Sequence, residues 1–451
     1  MPRAEIKAGE VFDLKITEIV LENFRGFKQL HLKFSEKNVV LVGTNGVGKS
    51  TILNAAIILL SRFVESLSFG IAKKISLNET DIKNGNQGLK IKCTLEYNGV
   101  ERQLELIKTL VAGQSSSSKL TVKDTTQDLV AFLHKQLADD PSFNAPIFVN
   151  YPVHRTVKDI PMKLKSRKGL DPFSAYHHCF SREVDFQSFF EWLLNEDYMD
   201  GLRKGAHAAP TNDMKSGENT AANDSGAEHR QLTAVRAAIY SFLPGFSDLK
   251  VSRGRRIRIT VAKGTQHLEI SQLSNGEKCT LAMVGDLARR LVLANPSLAN
   301  PLEGEGIVLI DEIELHLHPA MQRDIINRLQ STFPNLQFIL STHSPQVLGE
   351  INAAQIFFVT QQDDGEDIDV STVPTLFGKD SNMILEQFMG ATEKNEEIKL
   401  QLERLFQLIM DDSKLGRARE LLNQLMSILG SDDPSLIKAD MILRRKESMN
   451  L

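Results

Sequence analysis

The sequence predicts an α/β protein organised on a mostly parallel sheet. The apolar run Asn38–Val42 leads into Gly43-Thr44-Asn45-Gly46-Val47-Gly48-Lys49-Ser50-Thr51, and the apolar run Ile52–Leu60 follows at once. Strand, glycine loop and helix in that order form the context that a phosphate-binding loop requires. Two more apolar runs, Gly306–Ile310 and Leu336–Leu340, each end in residues that carry chemistry, Asp311-Glu312 and Ser341-Thr342-His343. Ligands of parallel sheets gather at the carboxyl ends of strands, so these termini are expected at one edge.

Composition bounds the reading. A chain of 451 residues with 41% hydrophobic and 24% charged residues fits a globular protein of two or three structural units. The net charge of −4 gives no bulk attraction to nucleic acid, so any such contact must be a local patch. Cys93, Cys179 and Cys279 have neither disulfide nor metal spacing. With no signal-peptide core and no apolar run of 18 residues evident, a reducing cytoplasm without membrane contact is expected.

Taken in order, Leu14 to Phe34 alternates as two strands joined near Asn23–Gly26. Arg25 stands at that turn. After the loop and its helix, Leu89–Val111 reads as a hairpin turning at Asn98-Gly99. Gln114–Ser118 is a short loop, Gln127–Leu137 a helix and Pro146–Tyr151 a buried strand. The stretch Lys158–Lys168 is a basic loop. A helix is expected over Phe180–Tyr198, its aromatic residues forming core. Lys204–Glu228 lacks apolar periodicity and reads as a mobile insertion. Helix resumes at Arg230–Phe242, followed by a strand pair, Lys250–Val261 and His267–Ile270, with Arg253, Arg255, Arg256 and Arg258 on a basic edge. An apolar helix covers Thr280–Leu293, and another runs from Pro319 to about Thr332. Gln355–Thr360 is a further strand, and Ser381–Lys446 is helical throughout. Four segments follow: 1–113 and 249–377 as halves of one head, 114–248 as a mainly helical insertion with a mobile part near 204–228, and 378–451 as a helical appendage.

The phosphate-loop glycines, Gly43, Gly46 and Gly48, let backbone N–H groups turn toward a polyphosphate. The helix N-terminus adds partial positive charge there. Lys49 can reach the β- and γ-phosphates of a nucleoside triphosphate, and Ser50 can ligate Mg²⁺. Asp311 can share that metal. Glu312, next in the chain, can polarise an attacking water. His343 is placed to touch the γ-phosphate. Leu273-Ser274-Asn275-Gly276-Glu277 offers a second phosphate-binding surface through the Ser274 hydroxyl, the Gly276 backbone and a helix N-terminus. A second surface in one chain makes sense if it serves another copy's nucleotide, with two ATP molecules held between two heads in a two-fold homodimer.

This order of motifs, with Glu314-Leu315-His316-Leu317-His318-Pro319 and Ser341-Thr342-His343-Ser344-Pro345, resembles the ABC-type ATPases of the SMC, RecF and OLD group. The resemblance spans Leu14 to about Val359. It implies an ABC-type head: a mixed sheet with a phosphate-loop core, an antiparallel β subdomain and a helical insertion, followed by a C-terminal helical region. It further implies that Lys49, Ser50 and Thr51 act as Walker A, with Asn45 among the nucleotide contacts, and Asp311 and Glu312 as Walker B. Ser274 and Gly276 would be the signature acting in trans, Glu314–His318 the D-loop and His343 the switch histidine. Arg25 matches the arginine such heads place near the nucleotide. Asn275 departs from the usual second glycine of the signature. The Q-loop glutamine has only Gln87 as a candidate, and long coiled-coil arms are missing.

Neither a Toprim nor an HNH nuclease is expected in this chain. Asp367-Ile368-Asp369 has metal-ligand spacing but reads as a loop, and the histidines form no HNH hairpin. Tyr151-Pro152-Val153-His154-Arg155, the helix bearing Trp192 and the tail with Asp432-Asp433-Pro434 look like the PtuA-type ATPases of Septu and some retron anti-phage systems. That resemblance implies a separately encoded HNH nuclease as partner, higher oligomers of the dimer and, in retron systems, a reverse transcriptase with nucleic acid. The alternative is a RecF-type repair ATPase whose dimer grips DNA through Lys163–Lys168 or Arg253–Arg258. Membrane transport is disfavoured by the insertion and the tail.

Overall fold

The structure is a computed structural model describing residues 13–111, 118–140, 142–157, 172–184, 186–207, 220–253, 256–349, 351, 355–361, 367–373, 376, 378–379, 381, 383–384 and 396–449. The basic loop Lys158–Lys168 and residues 114–117 lie outside the described residues. The chain divides into two units at Ser381/Asn382.

Alternating apolar residues make an antiparallel lobe first. β1 (Leu14–Phe24) and β2 (Phe27–Lys33) form a hairpin around Arg25-Gly26. β4 (Gly88–Tyr97) and β5 (Val100–Leu110) turn at Asn98-Gly99, both with positive φ, and β6 (Ser118–Asp124) closes a sheet of order β2-β1-β4-β5-β6.

The second sheet carries the short apolar runs. β3 (Val39–Val42), β7 (Ile147–Tyr151), β11 (Gly306–Ile310) and β12 (Leu336–Thr342) are buried at every residue. Continuous apolar sequence is what a strand covered on both faces demands. With β13 (Gln355–Gln361) and β14 (Ile368–Val373) the order is β14-β13-β3-β12-β11-β7, parallel throughout except for β14. Gln337, fully buried on β12, joins the two sheets: its amide accepts from Ile16 N (2.7 Å) and donates to Ile16 O (2.9 Å).

α1 (Lys49–Leu67) packs against β4, β5 and β12. It is long enough to cross a membrane and an 18-residue window of it has a mean hydropathy of 1.4, although Asn54, Ser61, Arg62 and Glu65 interrupt its apolar sequence. Burial between the sheets accounts for its apolar sequence.

The central region differs from expectation in several places. α2 (Gln127–Asp139) forms as read. The aromatic helix α3 (Gln187–His207) starts seven residues after Phe180. Its Phe189 ring lies where a Cβ on Gly285 would stand 2.3 Å away, so it is core. α4 (Thr220–Phe242) starts well before Arg230. Residues 204–207 and 220–228 are therefore helical where a mobile insertion was expected, and 208–219 lie outside the described residues. Ala221, Ala222 and Ala227 carry helix propensity without any apolar period, so a test based on period alone misses it. The expected strand pair is three strands, β8 (Phe246–Arg253), β9 (Ile257–Lys263) and β10 (Gln266–Glu269). α5 (Asn275–Ala294) follows. The helix expected to Thr332 is split into α6 (Pro319–Gln322) and α7 (Ile325–Thr332), and α8 (Pro345–Leu348) follows β12. Of Asp367-Ile368-Asp369, expected as a loop, Asp367 precedes β14 while Ile368 and Asp369 open it, their cross-strand pairing with β13 overriding the turn-like acidic composition.

The second unit has its own core. Leu402, Leu405 and Ile409 of α9 (Glu396–Met410) meet Ala418, Leu422 and Leu425 of α10 (Leu415–Leu429) and Leu436, Ala439 and Leu443 of α11 (Pro434–Met449). Arg419 binds Asp440 and Glu447, both at 2.5 Å, tying α10 to α11.

At the amino end of β11, Glu305 is 6% exposed and its Oε2 has no hydrogen-bond partner. Burial pushes its carboxyl from 4.5 up to about 8, with Lys37 offsetting part of the effect. The folded state thus holds a proton that the unfolded chain releases across this window. The associated stability is present below about pH 4.5 and is lost as pH rises through about 8. Thermal melts from pH 5 to pH 8.5 are expected to show a falling Tm that Glu305→Gln flattens. An equal slope in both proteins would contradict the assignment.

Candidate functional site

The parallel sheet brings four strand ends to one edge. After β3, Gly43 comes so close to β13 that a Cβ there would stand 2.3 Å from Val359 O. Gly48 caps α1 in the left-handed region, φ +109, with the Phe27 ring where its Cβ would be. Thr44, Asn45 and Gly46 are exposed at the rim. Lys49 is buried, and its Nζ donates to Gly43 O (2.7 Å) and Thr44 O (2.8 Å), which places the ammonium inside the loop. Burial pulls that ammonium below its ordinary range, while Glu314, Glu312 and Asp311 partly restore it. Ser50 and Thr51 lie in the first turn of α1, half-buried.

β11 ends in Asp311, 9% exposed, and Glu312, which has a positive φ of 48°. Left-handed backbone is costly for a residue with a Cβ and persists where surroundings fix it. Ser341, near the end of β12, is one such fixture. Its fully buried hydroxyl donates to Asp311 Oδ1 (2.5 Å) and accepts from Glu312 N (2.8 Å). Two residues on, His343 N donates to Glu314 Oε1 (2.6 Å), and His343 Nδ1 stands 2.9 Å from the same oxygen. Glu314 is 5% exposed, and its Oε2 has no partner. Lys49, Asp311, Glu312, Glu314 and His343 therefore form one group around the glycine loop Gly43–Gly48. A glycine cradle, a buried ammonium, a strand-end carboxylate pair and an unpartnered carboxylate oxygen fit a polyphosphate with a divalent cation.

Ser274 and Gly276 stand at the N-terminus of α5. Ser274 forms a capping box with Glu277: its Oγ accepts from Glu277 N (3.3 Å), and its N donates to Glu277 Oε2 (3.0 Å). Lys263 Nζ binds the other carboxylate oxygen at 2.6 Å. Burial alone would raise the Glu277 carboxyl, but Lys263 and Ser274 bring it below its usual value. A Cβ on Gly276 would stand 2.1 Å from His316 O, so the start of α5 touches the segment after Glu314 directly. His318 caps α6, its Nδ1 accepting from Ala320 N at 3.3 Å. Further along α5, buried Asp286 accepts from Tyr151 Oη (2.9 Å), Arg289 (2.8 Å) and Arg290 (2.7 Å). Burial opposes this charge, yet Arg290 and Arg289 hold the carboxyl down at about 2. The cluster fastens α5 to the end of β7.

Arg25 stands apart from this group. Its φ is +51°, its Nε donates to Asp81 Oδ1 (2.9 Å), and its guanidinium lies 5.1 Å from the Phe24 ring centroid. With Asn54 of α1 and Asn150 of β7 it lines a cavity of about 230 Å³. Gln87 is exposed just before β4, its carbonyl accepting from Leu110 N. Reading the sequence missed Ser341 as the holder of Asp311 and Glu312, and missed Arg155. The buried Arg155 guanidinium donates to Asp311 O and Glu312 O, each at 2.6 Å. Its place just past the end of β7 was the available signal. On the basic edge near β9, Arg258 pairs with Glu269 (2.9 Å) and Lys250 with Asp248, Arg256 is exposed, and Arg255 lies outside the described residues. Asp367 pairs with Lys83 (3.1 Å), and Ile368 reaches the space beside Gly48.

Comparison with known proteins adds a family. Residues 39–349 match the family described as "AAA domain, putative AbiEii toxin, Type IV TA system". The chain is 31% identical to "Retron Ec83 probable ATPase" of Escherichia coli, over 96% of this chain and 87% of that protein. It is 32% identical to "Retron Vc95 probable ATPase" of Vibrio cholerae serotype O1 biovar El Tor, over 78% and 74%. Similarity to "Septu protein PtuA" of Bacillus mycoides (strain KBAB4) is 27%, over 36% of this chain and 22% of that protein.

The approach of Gly276 to His316 gives a direct test. Gly276→Ala is expected to cost about 1–3 kcal/mol of stability, because backbone rather than a flexible side chain must move. Urea unfolding measures this, and an unchanged midpoint would contradict the contact.

Proposed function

The chain belongs to that AAA ATPase-domain family, and from this premise we propose that it is an ABC/SMC-like ATPase subunit of a retron- or Septu-type anti-phage assembly. One observation carries the catalytic part: Asp311 and Glu312, fixed by the Ser341 hydroxyl, end β11 beside Lys49. In this reading Gly43, Asn45, Gly46, Gly48, Lys49 and Thr51 hold the phosphates of ATP. Ser50 and Asp311 would hold Mg²⁺, which when bound neutralises charge building on the phosphates. The Glu312 carboxylate takes a proton from the attacking water. His343, turned by Glu314, presents its other ring nitrogen to the terminal phosphate. Arg25 is the outlying nucleotide contact.

The position of Ser274 supports a shared site. Ser274 and Gly276 stand at the N-terminus of α5, where the helix dipole favours an anion, and a second copy's phosphate would engage the Ser274 hydroxyl that here caps the helix. We assign that anion to the nucleotide of a second copy, making two ATP sites between two head-to-tail heads in a two-fold homodimer. A separately encoded HNH nuclease is the proposed partner, with a reverse transcriptase and its nucleic acid where the system is a retron, in the cytoplasm. The alternative, DNA gripping in the RecF manner, would use Arg253–Arg258, of which Arg258 is ion-paired with Glu269, or Lys163–Lys168, which lie outside the described residues.

Two variants test this reading. Lys49→Ala is expected to weaken ATP binding at least about tenfold, as loss of a charged contact to phosphate implies. Calorimetry showing unchanged affinity, with unchanged turnover, would refute the phosphate-loop assignment. Glu312→Gln is expected to keep ATP binding while turnover falls about 10²–10⁴-fold. On size-exclusion chromatography with ATP it should run as a dimer. Hydrolysis at the wild-type rate would remove Glu312 from its role.

A further inference from the structure

Arg155 is 3% exposed, and its guanidinium bonds are all to backbone carbonyls. Nη1 donates to Asp311 O (2.6 Å) and Pro152 O (3.0 Å), and Nη2 donates to Glu312 O (2.6 Å). A buried cation is costly to desolvate. Burial accordingly pulls the guanidinium below its ordinary value, with Asp311, Glu314 and Glu312 among the groups that restore it. If arginine served only to fill space here, an apolar residue would fill it at less cost.

Geometry supplies a reason for the charge. Two carbonyls on consecutive residues are held by the two arms of one planar fork, which fixes the peptide plane between Asp311 and Glu312 and the next one. That fixation falls where Glu312 sits at φ +48°. Ser341 holds the amide side of Glu312 and Arg155 the carbonyl side, so the strained residue is clamped at both ends. Arg155 is itself held. Its N donates to Val153 O (2.9 Å), it bridges to Val184, and Cys279 Sγ of α5 stands 3.9 Å from its carbonyl oxygen.

We propose that Arg155 is a positioning residue for ATP hydrolysis: its guanidinium fork clamps the Asp311–Glu312 backbone so that the Glu312 carboxylate is aimed at the water it deprotonates. This rests on the role given to Glu312 above. Lysine can keep the charge but cannot hold both carbonyls as a fork. Arg155→Lys should therefore lower kcat about 10–100-fold, the scale of a misplacement near 1 Å. The KM for ATP and the ATP affinity should stay within about threefold, since the phosphate-loop contacts are untouched.

The experiment measures steady-state hydrolysis, ATP binding and thermal melting for wild type, Arg155→Lys, Arg155→Gln and Glu312→Gln, and for the double variant Arg155→Lys/Glu312→Gln. The expected result is a kcat loss without a KM change in both Arg155 variants, and a double variant no slower than Glu312→Gln alone, because the clamp acts only through that carboxylate. The proposal is overturned if Arg155→Lys keeps the wild-type kcat while Glu312→Gln is inactive, or if the losses multiply. It is also overturned if both Arg155 variants lose fold and ATP binding together, which would make the residue structural. An active Glu312→Gln would instead overturn the reading beneath it, so the two failures are distinguishable.

Discussion

The parallel pairing of β7, β11, β12 and β3 is the constraint on which the rest depends. Each strand ends at the same edge, and each hands a different group to it: Arg155 just past β7, Asp311-Glu312 after β11, Ser341 and His343 at β12, the phosphate loop after β3. None of these groups neighbours another in sequence except the two acids. Register does the assembly: Ile310 pairs with both Tyr151 and Leu340, so the residues beyond all three leave the sheet at one level. A slip of one residue on β12 would turn Ser341 to the other face and leave Asp311 Oδ1 and the Glu312 amide without their partner.

That constraint explains which parts of the protein were legible in its sequence. The glycine loop and the acid pair are local: their residues lie together in sequence, and flanking apolar runs give the context. The fully apolar strands were legible for the same reason, since burial on both faces leaves a continuous run. Illegible were contacts set by register across the sheet. Ser341 read as part of a histidine motif, and only its neighbour β11 makes it the holder of Asp311. Glu314 read as part of a loop, and only the return of β12 brings His343 to it. Arg155 carried no periodic signal, because its function is to meet carbonyls 156 and 157 residues away.

The misread elements have their own causes. α4 extends over residues whose helix propensity comes from alanine rather than from an apolar stripe, and β14 forms on a run whose acids suggest a turn. In the first case alanine supports helix without an apolar stripe, and in the second the pairing with β13 decides the structure. β14 then matters to the site it flanks. Asp367 meets Lys83, and Ile368 fills the space beside Gly48, so the strand walls the phosphate loop on the side away from β12.

Charge at the edge sets how the site can be occupied. Asp311, Glu312 and Glu314 converge on a region whose buried cations are Lys49 and Arg155. Arg155 is committed to carbonyls, which among the described residues leaves three carboxylates facing one ammonium that is itself partly desolvated. Like charges in a medium of low effective dielectric repel strongly. A polyphosphate entering alone would add to that repulsion, and a divalent cation alone would confront Lys49 and the positive N-terminus of α1. Together they balance, the cation with the carboxylates and the phosphates with Lys49 and the loop amides. On the proposed reading, metal and nucleotide binding are therefore coupled by the charge count of this edge. The same arrangement gives Glu314 its place: with one oxygen on His343 and the other unpartnered, its carboxyl stands near Lys49 without competing for the loop.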